Sequence, residues 1–275
     1  MYKRVLLALD LEGVNHVVGE PYNGLERDTE QWQVAREQAV SEVNAAAEAL
    51  FAAGVETVGL WDNHGIGNNV DPNALDSRIT LISADHKMPR MYFADGNYDC
   101  ICFFGYHAME GTLGGVLAHT MSSKTVQHYK LNGCYIGEVD MDAYIAAAKG
   151  MPARFFAGGD ISCKQAKRTV NEIITVVTKT ELSRNEAIFR DNDELLADIK
   201  KNIVQAVKTE EKPHPLSFPA TLEKSFKRVE DAAKYWKRLR AGGLHADYLD
   251  DEILGKNAHT VVSVIYEIGD LIKGI

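Results

Sequence analysis

The sequence predicts an α/β fold: a mostly parallel sheet with flanking helices, followed by a smaller C-terminal α+β domain. Three observations carry this. Arg4 to Leu9 is a short apolar run that reads as a buried strand. A long helical pattern and a second apolar strand follow within the first 61 residues, making a βαβ unit and hence a parallel sheet. After about residue 185 the chain turns to charged amphipathic segments and a proline-bearing connector. The expected division is residues 1–190 for the α/β domain with the candidate site and 191–275 for the α+β domain.

In order along the chain, Asp28 to Ala53 is expected to be helical, because Trp32, Ala35, Ala39, Val43, Ala46, Leu50 and Ala53 recur at spacings of three and four. Gly54 ends it. Glu56 to Trp61 is the second strand, and Asp62 to Pro72 an Asn/Gly-rich loop. Ile79 to Ser83 and Asp99 to Phe104 are further strands, the latter followed by a Gly-rich loop to Gly115. Thr125 to Leu131 and Cys134 to Glu138 flank Asn132-Gly133, a strong hairpin signal. Met141 to Lys149 is a short helix with Asp140 as its cap. Ala153 to Ala157, Ile161 to Val170 and Ile173 to Thr178 read as strand, helix, strand. In the tail, Asn192 to Glu210 is an amphipathic helix and Lys212 to Pro219 a connector with three prolines. Leu222 to Val229 reads as a partly exposed strand, and Val229 to Arg240 and His259 to Lys273 as helices.

With 275 residues the chain can bury a substantial core. Its 45% hydrophobic and 25% charged content is ordinary for a soluble enzyme. A net charge of -9 argues against a nucleic-acid partner. No apolar stretch approaches the ~20 residues of a membrane span and no signal pattern is visible, so no membrane partner is expected and the cytoplasm is the expected compartment. Cys100, Cys102, Cys134 and Cys163 lack the spacing of a zinc clip or redox pair and read as reduced, mostly core thiols.

In open parallel sheets, ligands gather beyond the carboxyl ends of the strands. There the sequence places Asp10 and Glu12 (DLEG), His64 (WDNHG), His107 (FFGYHA) and Glu138 (IGEVD). Asp10 and Glu12 are two apart, so an extended chain points both to one face. Such a pair repels itself unless a cation lies between, and a carboxylate can bridge two. Two histidines and a third carboxylate complete a mixed N/O set suited to zinc, two ions lying ~3.5–4 Å apart in hydrolytic sites. Taken singly, each has a blander reading as a cap, a solvated loop residue or a helix entrance; their joint occurrence at strand ends is what argues for metal.

His119, in GGVLAHTM, is a ligand, a general acid/base or a core histidine by spacing alone. His16, His86, His128, His214, His245 and His259 read as surface or structural. Lys224, Lys227, Arg228, Lys234, Lys237, Arg238 and Arg240 read as a solvated face. Gly105, Gly111, Gly114 and Gly115 match neither Gly-rich phosphate fingerprint.

DLEG, DNHG, FFGYHA, GGVLAHTM and IGEVDMDAY, in that order, together with AGGD at Ala157 to Asp160 and KTELSRNEA at Lys179 to Ala187, resemble the D-aminopeptidase (DppA-type) family of self-compartmentalising zinc metallopeptidases. The likeness is close over residues 3 to 190 and looser in the tail. It implies a two-domain α/β subunit, two Zn2+ per subunit on Asp10, Glu12, His64, His107 and Glu138, and a catalytic nucleophile at His119. It also implies a homodecamer and short peptide substrates with an N-terminal D-residue such as D-Ala. Trp61 and the segment His16 to Leu25 depart from the family pattern, and both are candidates for lining the substrate pocket.

The expected function is therefore zinc-dependent removal of the N-terminal residue from short peptides. The same ligands would also serve another two-metal hydrolase: an L-aminopeptidase, an amidase or a phosphoesterase. A phosphoesterase would show Lys or Arg near the metals, and the site motifs contain none. A non-catalytic assembly or peptide-binding protein would have no need of all six residues.

Overall fold

A computed structural model describes residues 1–21, 24–83, 85 and 87–275. The chain opens with β1 (Arg4–Leu9), α1 (Glu30–Ala52), β2 (Thr57–Asp62), β3 (Ile79–Ile82) and β4 (Cys100–Tyr106). A hairpin of β5 (Val126–Leu131) and β6 (Cys134–Ile136) precedes α2 (Glu138–Ala148), β7 (Ala153–Gly158), α3 (Asp160–Thr169) and β8 (Ile174–Val177). A second hairpin, β9 (Lys179–Ser183) and β10 (Glu186–Phe189), leads to α4 (Asn192–Lys208). The chain continues through β11 (Ala220–Phe226), α5 (Val229–Ala241), β12 (Ala246–Asp251), β13 (Gly255–Ile265) and α6 (Ile268–Gly274).

Six strands form one parallel sheet in the order β3-β2-β1-β4-β7-β8. Burial on both faces is why its strands read as continuous apolar runs. Alternation within β1 splits the core. Val5, Leu7 and Leu9 face α1 and α4, packing with Trp32, Val43, Leu50, Leu195, Ile199 and Ile203. Leu6 and Ala8 face the other way, into a cluster with Phe103, Phe156, Met141, Ile145, Tyr129 and Leu222. That second layer includes a five-stranded sheet, β12-β13-β11-β5-β6, whose neighbouring strands all pair antiparallel. Residues 126–136 thus complete a sheet otherwise built by residues 220–265, while α4 packs on α1.

Local chemistry explains most boundaries. The Thr29 hydroxyl caps α1 by accepting from the Trp32 amide at 3.2 Å, and Gly54 leaves the helix with φ of +93°. Asn132 and Gly133 both take positive φ, as a two-residue primed turn requires. α2 starts earlier than the sequence suggests: Glu138 is its first residue, and Asp140 lies inside it, accepting from the Gly137 amide at 2.5 Å.

Two expectations are corrected. Residues 259–273 are not one helix: β13 runs to Ile265, and only Ile268–Gly274 is helical. Val261 and Ile265 are four apart, a spacing that shares a face in a helix and equally in a strand. The β-branched run Thr260-Val261-Val262 and the pairing with β11 decide for the strand. Glu138 follows a hairpin strand of the antiparallel sheet, so it reaches the site from the layer above rather than from a parallel strand end. The strands β9, β10 and β12 were not anticipated.

Candidate metal centre

Because β2, β1 and β4 are neighbours at the middle of the parallel sheet, their carboxyl ends bring Asp10, Glu12, His64 and His107 together. The DLEG and FFGYHA segments cross closely: the Asp10 amide donates to Phe104 O at 2.8 Å and the Gly13 amide to Gly105 O at 2.6 Å. A Cβ on Gly105 would lie 1.9 Å from Asp10 O, and one on Gly13 2.2 Å from Tyr106 O, so only glycine fits at either position.

The sequence-derived set converges. His64 Nδ1 lies 3.0 Å from Asp10 Oδ1 and 3.1 Å from Glu12 Oε2. His107 Nε2 lies 3.4 Å from Asp10 Oδ2 and 3.4 Å from Glu138 Oε1. Asp10, Glu12 and His64 form one group whose donor atoms lie within 4.8 Å of one another, and Asp10, His107 and Glu138 form a second. Asp10 belongs to both, one oxygen turned to each. A third group joins Glu12, His107 and His119. His119 Nε2 stands 3.7 Å from Glu138 Oε1.

The donor set fits divalent cations. His107 Nδ1 donates to Ala108 O at 2.9 Å, which turns Nε2 toward the carboxylates and leaves it the ligating atom of the neutral ring; that buried Nε2 has no hydrogen-bond partner among the described residues. The electrostatics agree. Burial and Glu12 push the Asp10 carboxyl up to about 7. Burial would lower His64 and His107, yet the adjoining carboxylates outweigh it and drive them up to about 11 and about 10. Burial would raise Glu12 and Glu138, but the histidines hold Glu12 well below the usual carboxylate range and Glu138 down at about 2. Burial and His107 push His119 below its ordinary value. Three buried carboxylates therefore demand positive charge, which cations would supply while leaving the imidazoles neutral.

A supporting shell holds these groups, and sequence reasoning assigned it no role. Lys179, fully buried, donates to the carbonyls of Glu12, Val14 and Val17 at 2.6, 3.0 and 2.5 Å, pinning the chain after DLEG. Glu181 accepts from the Val116 amide at 2.7 Å and Arg184 donates to Ala118 O at 2.9 Å, fixing the loop that presents His119. Asp62 accepts from the Asn69 amide and side chain at 2.5 and 2.8 Å, and Asn69 holds His64 O at 2.9 Å. The only earlier signal for Lys179, Glu181 and Arg184 was their place in KTELSRNEA.

The site opens into a cleft of 360 Å³ lined by Asp10, Glu12, His64 and Glu138 and by Asn63, Leu117, His119 and Met121. Arg90, Lys124 and Arg184 also line it, so the cleft does contain basic groups, supplied by loops outside the strand-end motifs. Gly24, Leu25 and Glu26, from the divergent segment His16 to Leu25 and the residue after it, line the cleft; Tyr22 and Asn23 lie outside the described residues. Trp61 is buried beside the cleft, edge-on to Phe93.

The remaining expectations sort plainly. His16, His128, His214, His245 and His259 lie outside the cluster, and His86 lies outside the described residues. Lys224 is not on a solvated face: it is buried against Tyr129, Phe226 and Tyr235. Cys100, Cys102 and Cys163 are buried free thiols, and Cys134 is an exposed one. No helix of the described residues is long and apolar enough to cross a membrane.

A D-aminopeptidase of Bacillus subtilis (strain 168) is 24% identical over 240 residues, covering 87% of this chain and 86% of the relative. The solved structure of the Zn-dependent D-aminopeptidase DppA from Bacillus subtilis, described as a self-compartmentalizing protease, superposes with a TM-score of 0.84 at 21% identity, over 98% of this chain and 94% of that one. The profile of peptidase family M55, D-aminopeptidase, matches residues 3–240. The chain belongs to the D-aminopeptidase family.

Proposed function

We propose that this chain is a zinc-dependent aminopeptidase that removes the N-terminal D-residue, of the D-Ala type, from short peptides. The observation that carries the proposal is Asp10, whose two oxygens face His64 and His107 within two separate donor groups. Asp10, Glu12 and His64 would hold one zinc, and Asp10, His107 and Glu138 the other. Bound zinc supplies Lewis acidity toward the scissile carbonyl. The peptide's α-ammonium finds carboxylates in the cleft from Glu12 and Glu26.

His119 is the group left for proton or acyl transfer. Its Nδ1 donates to Leu117 O at 2.8 Å, which orients the ring and leaves Nε2 as a base or nucleophile. Glu181 and Arg184 hold the loop that carries it. The enzyme acts in the cytoplasm as a homodecamer with its sites facing an enclosed chamber. The deciding experiment is a panel of D- and L-aminoacyl dipeptides assayed with zinc, manganese and cobalt. Cleavage of D-aminoacyl dipeptides that chelation abolishes is the expected result; turnover of L-substrates alone, or none, would remove the reading.

A further inference from the structure

The cleft over the metal centre adjoins a second cavity of 520 Å³, and the two share Asn63, Arg90 and Met121. Aromatic side chains, Trp61, Tyr92 and Phe93, line part of the second cavity. Its lining holds more basic than acidic side chains, in a chain of net charge -9. Lys87, Arg90, Arg238 and Lys273 line it together with Asp85 and the last residue, Ile275; of the four bases Arg90 is paired with Asp142, and Lys273 Nζ lies 3.5 Å from Asp270 Oδ1. A cationic chamber next to a carboxylate-rich site sorts a bound peptide by polarity: ammonium end toward the acids, anionic end toward the bases.

Arg90 stands where the two spaces meet. Its Nε and Nη2 donate to the fully buried Asp142 at 2.5 and 2.8 Å, and its guanidinium lies over Trp61, 4.9 Å from the ring centroid. Asp142 also accepts from the Tyr106 hydroxyl at 2.8 Å, and Asn63 donates to that hydroxyl at 2.9 Å. The guanidinium is thus held by Asp142 on its edge and by Trp61 on its face, and Nη1 has no hydrogen-bond partner among the described residues. A cation held rigid, with donors to spare at the mouth of a cationic cavity, is suited to a carboxylate.

We infer that Arg90 binds the free α-carboxylate of the departing part of a short peptide, which sits in the second cavity. The inference rests on the peptidase reading and adds to it that the preferred substrate ends close to the scissile bond, with its carboxylate unblocked. The test compares a D-alanyl dipeptide with its C-terminal amide on the zinc-loaded protein and on R90K, R90Q and R90Q/D142N. The double variant removes both charges of the buried pair, so a folding defect from an unpaired Asp142 is kept out of the comparison. Wild type should favour the free acid, and R90Q and R90Q/D142N should raise KM for the acid at least tenfold while changing KM for the amide little. R90K should retain part of the preference. An equal loss on both substrates, or no preference in wild type, would overturn the inference and leave the peptidase reading standing. If wild type cleaves neither, the peptidase reading fails instead. Calorimetric binding of the two ligands to the same proteins then decides on Arg90, with equal affinity of wild type for acid and amide counting against it.

Discussion

The imidazole rings of His107 and His119 lie face to face, their centroids 3.9 Å apart and their planes 11° from parallel. Each anchors its Nδ1 on a backbone carbonyl, Ala108 O for His107 and Leu117 O for His119. The two Nε2 atoms are thereby directed at the same carboxylate, Glu138, at 3.4 and 3.7 Å. His107 belongs to a donor group with Asp10, whereas His119 shares none with it. In the proposed function the stack would keep the His119 imidazole beside the two Asp10-centred donor groups and outside both of them.

His119→Ala should therefore keep its metal and lose turnover by roughly 10²–10⁴-fold, the usual worth of a positioned acid/base group. Metal analysis and steady-state kinetics on one preparation check this. Loss of an ion would make His119 a ligand, and near-normal turnover would deny it any chemical role.

The two donor groups that share Asp10 predict about two divalent ions per chain, zinc in the proposed function. His64→Ala and His107→Ala should each lower occupancy and abolish turnover without unfolding the chain. Chelation should also lower the melting temperature, because ligand at ~100 times its Kd contributes about 2.7 kcal/mol to the folded state. Full activity after exhaustive chelation would sink the metal assignment.

The clustered residues were legible in the sequence because each follows an apolar run that ends at a sheet, a pattern visible without knowing the partners. Lys179 was not, since a lysine is read as solvated unless the structure supplies the three carbonyls that surround it. Arg90 was hidden for another reason: it lies in an irregular segment with no periodicity, and its partner Asp142 comes from α2. β13 was misread because helical and strand patterns coincide at a spacing of four. Glu138 joins the cluster, although the rule that pointed to it describes a sheet to which its strand does not belong.

Lys224 gives a prediction about pH. Burial and the nearby Arg238 push its ammonium down to about 7, with Tyr129, Phe226 and Tyr235 around it and Ile275 O accepting at 3.1 Å. In the unfolded chain it titrates near 10.4. Between those values the unfolded state binds a proton that the folded state does not, so this group makes stability rise with pH across that window. Below it both states are protonated and the cost of burying the charge is fully present. Urea midpoints of wild type and Lys224→Met at pH 6.5 and 9.5 test the sign: wild type should gain on the variant at the higher pH. A difference independent of pH would show that Lys224 keeps its proton when folded.

The exposed apolar side chains predict association. Leu113 is 97% exposed in the Gly-rich loop before His119, and Ile66 is 76% exposed two residues beyond His64. Ile253 and Leu254, 92% and 72% exposed, sit in the turn between β12 and β13. Single exposed apolar residues are ordinary, but two of these stand on the loops that carry site histidines. Covering them with further copies of the chain would place subunit contacts around the cleft and narrow its access, so that di- to tetrapeptides enter and folded or casein-sized chains do not. A closed ring arrangement would satisfy such a contact in every subunit. Light scattering should give a large homo-oligomer, a decamer in the proposed assembly. Leu113→Asp and Ile253→Asp/Leu254→Asp should dissociate it and admit casein while leaving dipeptide turnover and metal content in place. An active monomer or dimer of wild type at micromolar concentration would remove the enclosure from the account and leave the metal chemistry as it stands.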